Sequence, residues 1–191
     1  MNSPAIRPCG QQTEANSRDL SLADFTETDL VFPTLPGSDV AAVVQELSRA
    51  LHRAQYIPDV LPFYHAALNR EFLAATVTET GVAFPHARIQ GSDRLCFAFG
   101  HCSQAIRWGG KHGPEVRLVF LIAAPATAVD GYLAFLNSLV QLVRREANLQ
   151  ALLAAATPGE VIDLLRQVPL KAPSVTAPLF DELNPIYAVT R

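Results

Sequence analysis

Two hydrophobic periods alternate along this chain. After Ser38, the stretch DVAAVVQELSRALHRA carries apolar residues at helical spacing, with Ser38 placed as a plausible N-cap. Asp59 to about Ala75 has the same period and predicts a second helix, with Leu61, Ala67, Leu68 and Phe72 on one side. Gly81-Val82-Ala83-Phe84 reads as a short strand stopped by Pro85, and Arg94 to Gly100 as another strand. Val116 to Ala124 is an almost unbroken apolar run, the signature of a strand buried on both faces. Asp130 is placed to cap a long helix running to about Arg145, whose core side holds Leu133, Leu136, Leu139, Val140 and Val143. Residues 147–156 and 158–167 form two more helical segments. Between them Thr157 stands as a cap and Pro158 in a first turn, where its missing N–H costs nothing. Strands alternating with helices predict an α/β layer fold.

The ends lack this order. Residues 1–28 are polar and unpatterned, which predicts a flexible leader without the apolar region of a secretory signal. Residues 169–191 hold Pro169, Pro173, Pro178 and Pro185 and predict an extended tail, able to dock through Leu179, Phe180 and Tyr187. The chain of 191 residues suits one domain with tails.

Composition narrows the function. Apolar residues make up 49% and charged residues 17%, which fits a packed globular protein. A net charge of −3 without Lys/Arg clusters gives no footprint for nucleic acid. The longest apolar run is about half of what a membrane span needs. Three cysteines, Cys9, Cys96 and Cys102, fit a reducing cytoplasm better than a disulfide framework.

Several motifs fail on chemistry. Gly109-Gly110-Lys111-His112-Gly113 lacks both the upstream glycine, where Ala105 stands, and the Ser/Thr after the lysine that a phosphate loop requires. It reads as a glycine-rich turn. Cys96, His101, Cys102 and His112 lack metal-knuckle spacing, and Cys96 reads as a core thiol. No GxSxG elbow anchors a hydrolase triad. His52 reads as solvent-facing and His65 as a packing residue. His86 differs, because it follows Pro85 at a strand end, where layered α/β folds handle ligands. A neutral imidazole there can act as nucleophile or base, although a hydrogen-bonded structural histidine is the commoner case.

The residues around His86 carry a resemblance. Thr80-Gly81-Val82-Ala83-Phe84-Pro85-His86-Ala87-Arg88 resembles the G-[IV]-A-x-P-H-[GA] signature of the fructose/mannitol (type 2) IIA domains of the phosphoenolpyruvate-dependent sugar phosphotransferase system, whose relatives include a nitrogen-regulatory branch. Leu68-Asn69-Arg70-Glu71 resembles the family's R-E pair at the end of the second helix, and Val116 to Pro125 its central strand. The following helix and Leu149 to Leu165 resemble its closing helices. The resemblance covers roughly residues 29–168. It implies a three-layer α/β sandwich, with a mixed, mostly parallel sheet flanked by helices.

It also implies a cytoplasmic phosphotransferase without cofactor or metal. His86 would accept a phosphoryl group from the phosphohistidine of the carrier protein HPr and pass it to a IIB domain, or hold it as a regulatory signal. Lacking a spanning segment, the chain would work with separate partners. Arg70, with its planar fork of donors, would bind the phosphate. Many members place a second histidine in the helix after the central strand, and that position here is Tyr132. Its hydroxyl can donate, but it cannot supply an imidazolium's charge. A packing role for Tyr132, and a non-catalytic binding module of the same fold, are the alternatives. The run Thr76 to Thr80 stands where the family often has glycines, so its hydroxyls are further candidate donors.

Overall fold

The structure, a computed structural model, describes residues 7–8, 20–90, 94–126 and 129–170. The elements run β1 (Arg7–Pro8), β2 (Val31–Leu35), α1 (Val40–Arg53), α2 (Val60–Leu73), β3 (Val82–Ala83), β4 (His86–Ile89), β5 (Arg94–Arg107), β6 (Glu115–Pro125), α3 (Val129–Arg144), α4 (Glu146–Ala154) and α5 (Pro158–Arg166). Two short 3-10 turns, Leu22–Phe25 and Thr28–Leu30, precede β2.

A hairpin forms the centre of the sheet. β5 and β6 are antiparallel, with Phe99 opposite Phe120. The glycine-rich stretch closes them, and Gly109 and Gly110 take positive φ values of 81° and 101° that side chains resist. β1 and β2 pair in parallel with successive parts of β5, and β3 and β4 do the same along β6. The sheet is therefore mixed and mostly parallel, as the family resemblance implies.

Alternation along β6 builds two cores. Val119, Leu121 and Ala123 face a layer made by α1 and α2. Leu118, Phe120, Ile122 and Ala124 face a layer made by the first 3-10 turn, α3, α4 and α5. Both sets are buried, so the apolar run is continuous rather than alternating. The second core is rich in phenylalanine. Phe97 and Phe99 pack on Phe120, and Phe135 packs on Phe97, with ring centroids 5.0–5.7 Å apart.

The structure departs from the sequence pattern at several points. Asp39, not Ser38, caps α1, its Oδ1 accepting from the Ala42 N–H at 2.8 Å. α3 begins at Val129, which puts Asp130 inside the first turn rather than before it. Leu61 and Phe72 of α2 are exposed, Phe72 at 92%, and the helix buries Phe63 and Glu71 beside the expected Ala67. β5 continues seven residues past Gly100 to Arg107, because β6 pairs with its polar half as well. Residues 20–28, part of the expected leader, form a turn whose Leu22 and Phe25 are fully buried. That turn is tied to the chain's other end by Leu22 N–H on Val168 O at 2.9 Å and Leu170 N–H on Leu20 O at 2.7 Å. The tail residues Leu179, Phe180 and Tyr187 lie outside the described residues. Thr157 caps α5 as its pattern predicts, in a capping box with Glu160.

Candidate active site

A break between β3 and β4 shapes the site. Both strands follow β6, but Phe84 and Pro85 interrupt them. The Phe84 ring is buried and stacks on Phe120 at 5.5 Å, while its N–H donates to Thr76 O at 3.0 Å. Pro85 has no N–H to give, and its carbonyl accepts from the Ile122 N–H at 2.8 Å. The Phe84 carbonyl lies 3.1 Å from His86 Nδ1. A carbonyl can only accept, so Nδ1 carries the proton and Nε2 keeps its lone pair.

Strand alternation sets what surrounds the ring. Ala87 and Ile89 pack with α1 and α2, so His86 and Arg88 project to the α3 side. There Tyr132, in the first turn of α3, holds its ring 6.0 Å from the His86 ring. The Arg88 guanidinium lies 4.7 Å from the centroid of that same Tyr132 ring. Its Nη1 donates to the Pro125 carbonyl at 2.7 Å, at the end of β6.

The end of α2 supplies the rest. Arg70 Nη1 donates to Ala74 O at 2.8 Å, so the guanidinium closes over the helix terminus. Glu71 is 6% exposed and accepts from Thr76 N–H at 3.0 Å, from the Thr76 hydroxyl, and from Trp108 Nε1 at 2.8 Å. This carboxylate locks the loop after α2 to the β5–β6 hairpin and so places Thr76 under Phe84. The threonine hydroxyls of the loop are engaged within it. Thr76 bonds Glu71, and Thr78 Oγ1 bonds the backbone of Val82 and the Thr80 hydroxyl at 2.8–3.2 Å.

These surroundings hold the His86 pKa below its ordinary 6.5. Burial is the main cause, since it penalises the charged ring. The bond to Phe84 opposes that, the Arg70 charge reinforces it, Glu71 opposes it, and Arg88 reinforces it again. The outcome is an imidazole held neutral, with its lone pair on Nε2 and the charges of Arg70 and Arg88 acting on it. That arrangement suits an electrophile carrying negative charge.

The structure thus sets Tyr132 against His86 and brings the Arg70 charge within electrostatic reach of the His86 ring. Arg88, a basic residue two positions beyond His86 on the same strand face, also lies against Tyr132, a contact that no local sequence pattern signals. Glu71, the neighbour of Arg70 in the sequence, is the buried acceptor behind this region. The other candidates stand apart. His52 and His65 are exposed on α1 and α2, and Cys96 is fully buried. Burial raises the Cys102 thiol to about 11. Among the described residues, no cluster of histidine, cysteine or acidic groups could hold a metal, and no helix is long and apolar enough to cross a membrane.

Comparison with known proteins shows the family and the fold. The family described as "Phosphoenolpyruvate-dependent sugar phosphotransferase system, EIIA 2" matches residues 24–168. The chain is 31% identical over 125 residues to the fructose-specific EIIABC component of the phosphotransferase system of Bacillus subtilis. The aligned part is 65% of this chain but only 20% of that longer protein. The nitrogen regulatory protein IIA-Ntr of Neisseria meningitidis has the same fold, with a TM-score of 0.69 at 20% identity. That match covers 75% of this chain and 97% of the other. A structure of Escherichia coli enzyme IIA for mannitol, in complex with its phosphorylated enzyme IIB, matches with a TM-score of 0.58 at 21% identity. It covers 73% of this chain and 95% of the other.

Proposed function

The chain belongs to the EIIA 2 family of the phosphoenolpyruvate-dependent sugar phosphotransferase system, and on that premise we propose that it is a phosphocarrier that receives a phosphoryl group on His86 Nε2 from HPr and passes it to a IIB domain. The hydrogen bond from His86 Nδ1 to Phe84 O carries this reading, because it fixes the tautomer that attacks. Nε2 forms a bond to phosphorus as the donor's N–P bond breaks, and the donor imidazole leaves with that electron pair. The positive charge that develops on the His86 ring is shared through Nδ1–H with the Phe84 carbonyl. Little covalent machinery is needed, so positioning and charge do most of the catalysis. Arg70, in the last turn of α2, would neutralise the transferred oxygens. The first turn of α3 presents backbone N–H groups beside Tyr132, which add to the same effect. The exchange would occur in the cytoplasm, where such partners work.

The test is phosphorylation by phosphoenolpyruvate, enzyme I and HPr, read as intact mass under alkaline conditions that preserve phosphohistidine. One phosphate adduct, absent in His86→Ala, is expected. Arg70→Ala should slow its appearance by about tenfold or more. Unchanged kinetics would remove Arg70 from the site. A second reading, a binding module that does not turn over phosphate, draws on Tyr132 in place of the usual histidine. A wild-type protein that gains no adduct from a cognate HPr would select it. Transfer onward to a IIB domain separates sugar transport from a regulatory role.

A further inference from the structure

We propose that Arg88 is a phosphate-binding residue of this site and that Tyr132 acts mainly as the aromatic platform that seats it. This rests on His86 as the phosphorylated residue.

Position comes first. Arg88 is two residues beyond His86 on β4, so both side chains leave the same face, about 7 Å apart along the strand. Each lies against the one Tyr132 ring, at 6.0 Å for His86 and 4.7 Å for the guanidinium. The central carbon of the guanidinium lies over that ring, and Nη1 donates to Pro125 O at 2.7 Å. A guanidinium carries five N–H groups in a planar fork, so donors remain at its edge for phosphate oxygens. Arg88 is exposed, so a partner's phosphohistidine can reach those donors without rearrangement of the core.

Charge comes second. The cation of Arg88 is felt at His86, where it opposes protonation of the ring. A group that disfavours a second positive charge there favours the dianion of a bound phosphoryl group. A tyrosine cannot supply a cation, but its ring can hold one. Cation–π seating and the carbonyl bond together restrict the arginine side chain before phosphate arrives, so less freedom is lost on binding. The pair thereby supplies the positive charge that Tyr132 alone lacks.

The test uses phosphoramidate, a small donor that needs no protein partner. Wild type, Arg88→Gln, Tyr132→Phe and Tyr132→Leu are phosphorylated, and the phosphorus resonance of phospho-His86 is titrated. In wild type the phosphate's second pKa should lie about one unit below its value in Arg88→Gln. Tyr132→Phe should behave as wild type and Tyr132→Leu as Arg88→Gln. Initial rates with phosphorylated HPr should fall about tenfold in Arg88→Gln and Tyr132→Leu and stay within twofold in Tyr132→Phe. Equal titrations in wild type and Arg88→Gln would overturn the proposal, as would loss in Tyr132→Phe equal to that in Tyr132→Leu. Failure of wild type to take phosphate from HPr, with the phosphoramidate titrations as expected, would instead count against the carrier function alone.

Discussion

Replacing Glu71 by alanine should destabilise the protein more than any other single change of a charged residue in the described chain. The carboxylate is 6% exposed and accepts from the Thr76 N–H, the Thr76 hydroxyl and the Trp108 indole N–H. Trp108 itself is 1% exposed, so water cannot easily replace the lost acceptor. A buried donor left without an acceptor costs about 1–3 kcal/mol. The hydroxyl can rotate to another partner, so the two N–H groups dominate, and Glu71→Ala should cost about 3–5 kcal/mol. At this chain length each kcal/mol lowers Tm by about 2–4 °C, so a fall of about 10 °C is expected. Glu71→Gln keeps the shape but turns an amide NH2 toward one of the donors, and should cost about 1–3 kcal/mol. The assay is urea unfolding followed by circular dichroism, with Trp108 fluorescence as a second probe, since the chain has a single tryptophan. A double-mutant cycle of Glu71→Gln with Trp108→Phe should give a coupling of about 1 kcal/mol or more. A loss below about 1 kcal/mol in Glu71→Ala, or no coupling in the cycle, would refute the idea that this carboxylate ties the α2 loop to the hairpin.

The pKa of His86, lowered mainly by burial, sets a pH dependence. An unperturbed histidine is half protonated at about pH 6.5, so phosphorylation between pH 7.5 and 6.5 should fall less than twofold here. In the window from 6.5 down to the folded value the unfolded chain binds more protons, so stability declines as pH falls through it. A ring-proton titration that gives 6.5 or higher would contradict both. Gly81 has φ of +76°, and an added Cβ would stand 2.7 Å from the Glu115 carbonyl oxygen. Gly81→Ala should therefore cost about 1–3 kcal/mol in thermal unfolding, and a neutral result would disprove the strain. Thr157→Ala removes half of the α5 capping box and should cost about 1 kcal/mol, with Thr157→Ser closer to wild type in the same assay.

Much of the layer order was legible in the sequence, because β6, α3 and α5 announce themselves by local pattern. The apolar run of β6 needs no knowledge of its neighbours to be read as doubly buried, and Thr157-Pro158 is a helix start by chemistry alone. What could not be read depends on partners distant in the chain. β4 is four residues after a proline, and it becomes a strand only because Ile122 to Pro125 lie beside it. Leu61 and Phe72 fit a helical apolar face, yet α2 turns a carboxylate inward because Trp108 and Thr76 supply donors there. In the site, His86 stood out through Pro85 and Arg70 through the family pattern. Arg88 was hidden because its role needs α3, and its ring contact spans 44 positions of sequence from Arg88 to Tyr132.

The interruption at Phe84-Pro85 also bears on how this site can change by mutation. The group that orients the His86 ring is a main-chain oxygen, and no codon change at position 84 removes a main-chain oxygen. Substitutions of Phe84 would loosen the core long before they altered the tautomer. A histidine oriented by a carboxylate side chain can lose its partner in one step, whereas this one cannot. Under the proposed function, substitutions could therefore exchange the side chains around a bound phosphate while the orientation of the His86 ring is kept. Relatives that differ at every side chain around the ring could still share its chemistry, provided the backbone bend beneath it is kept.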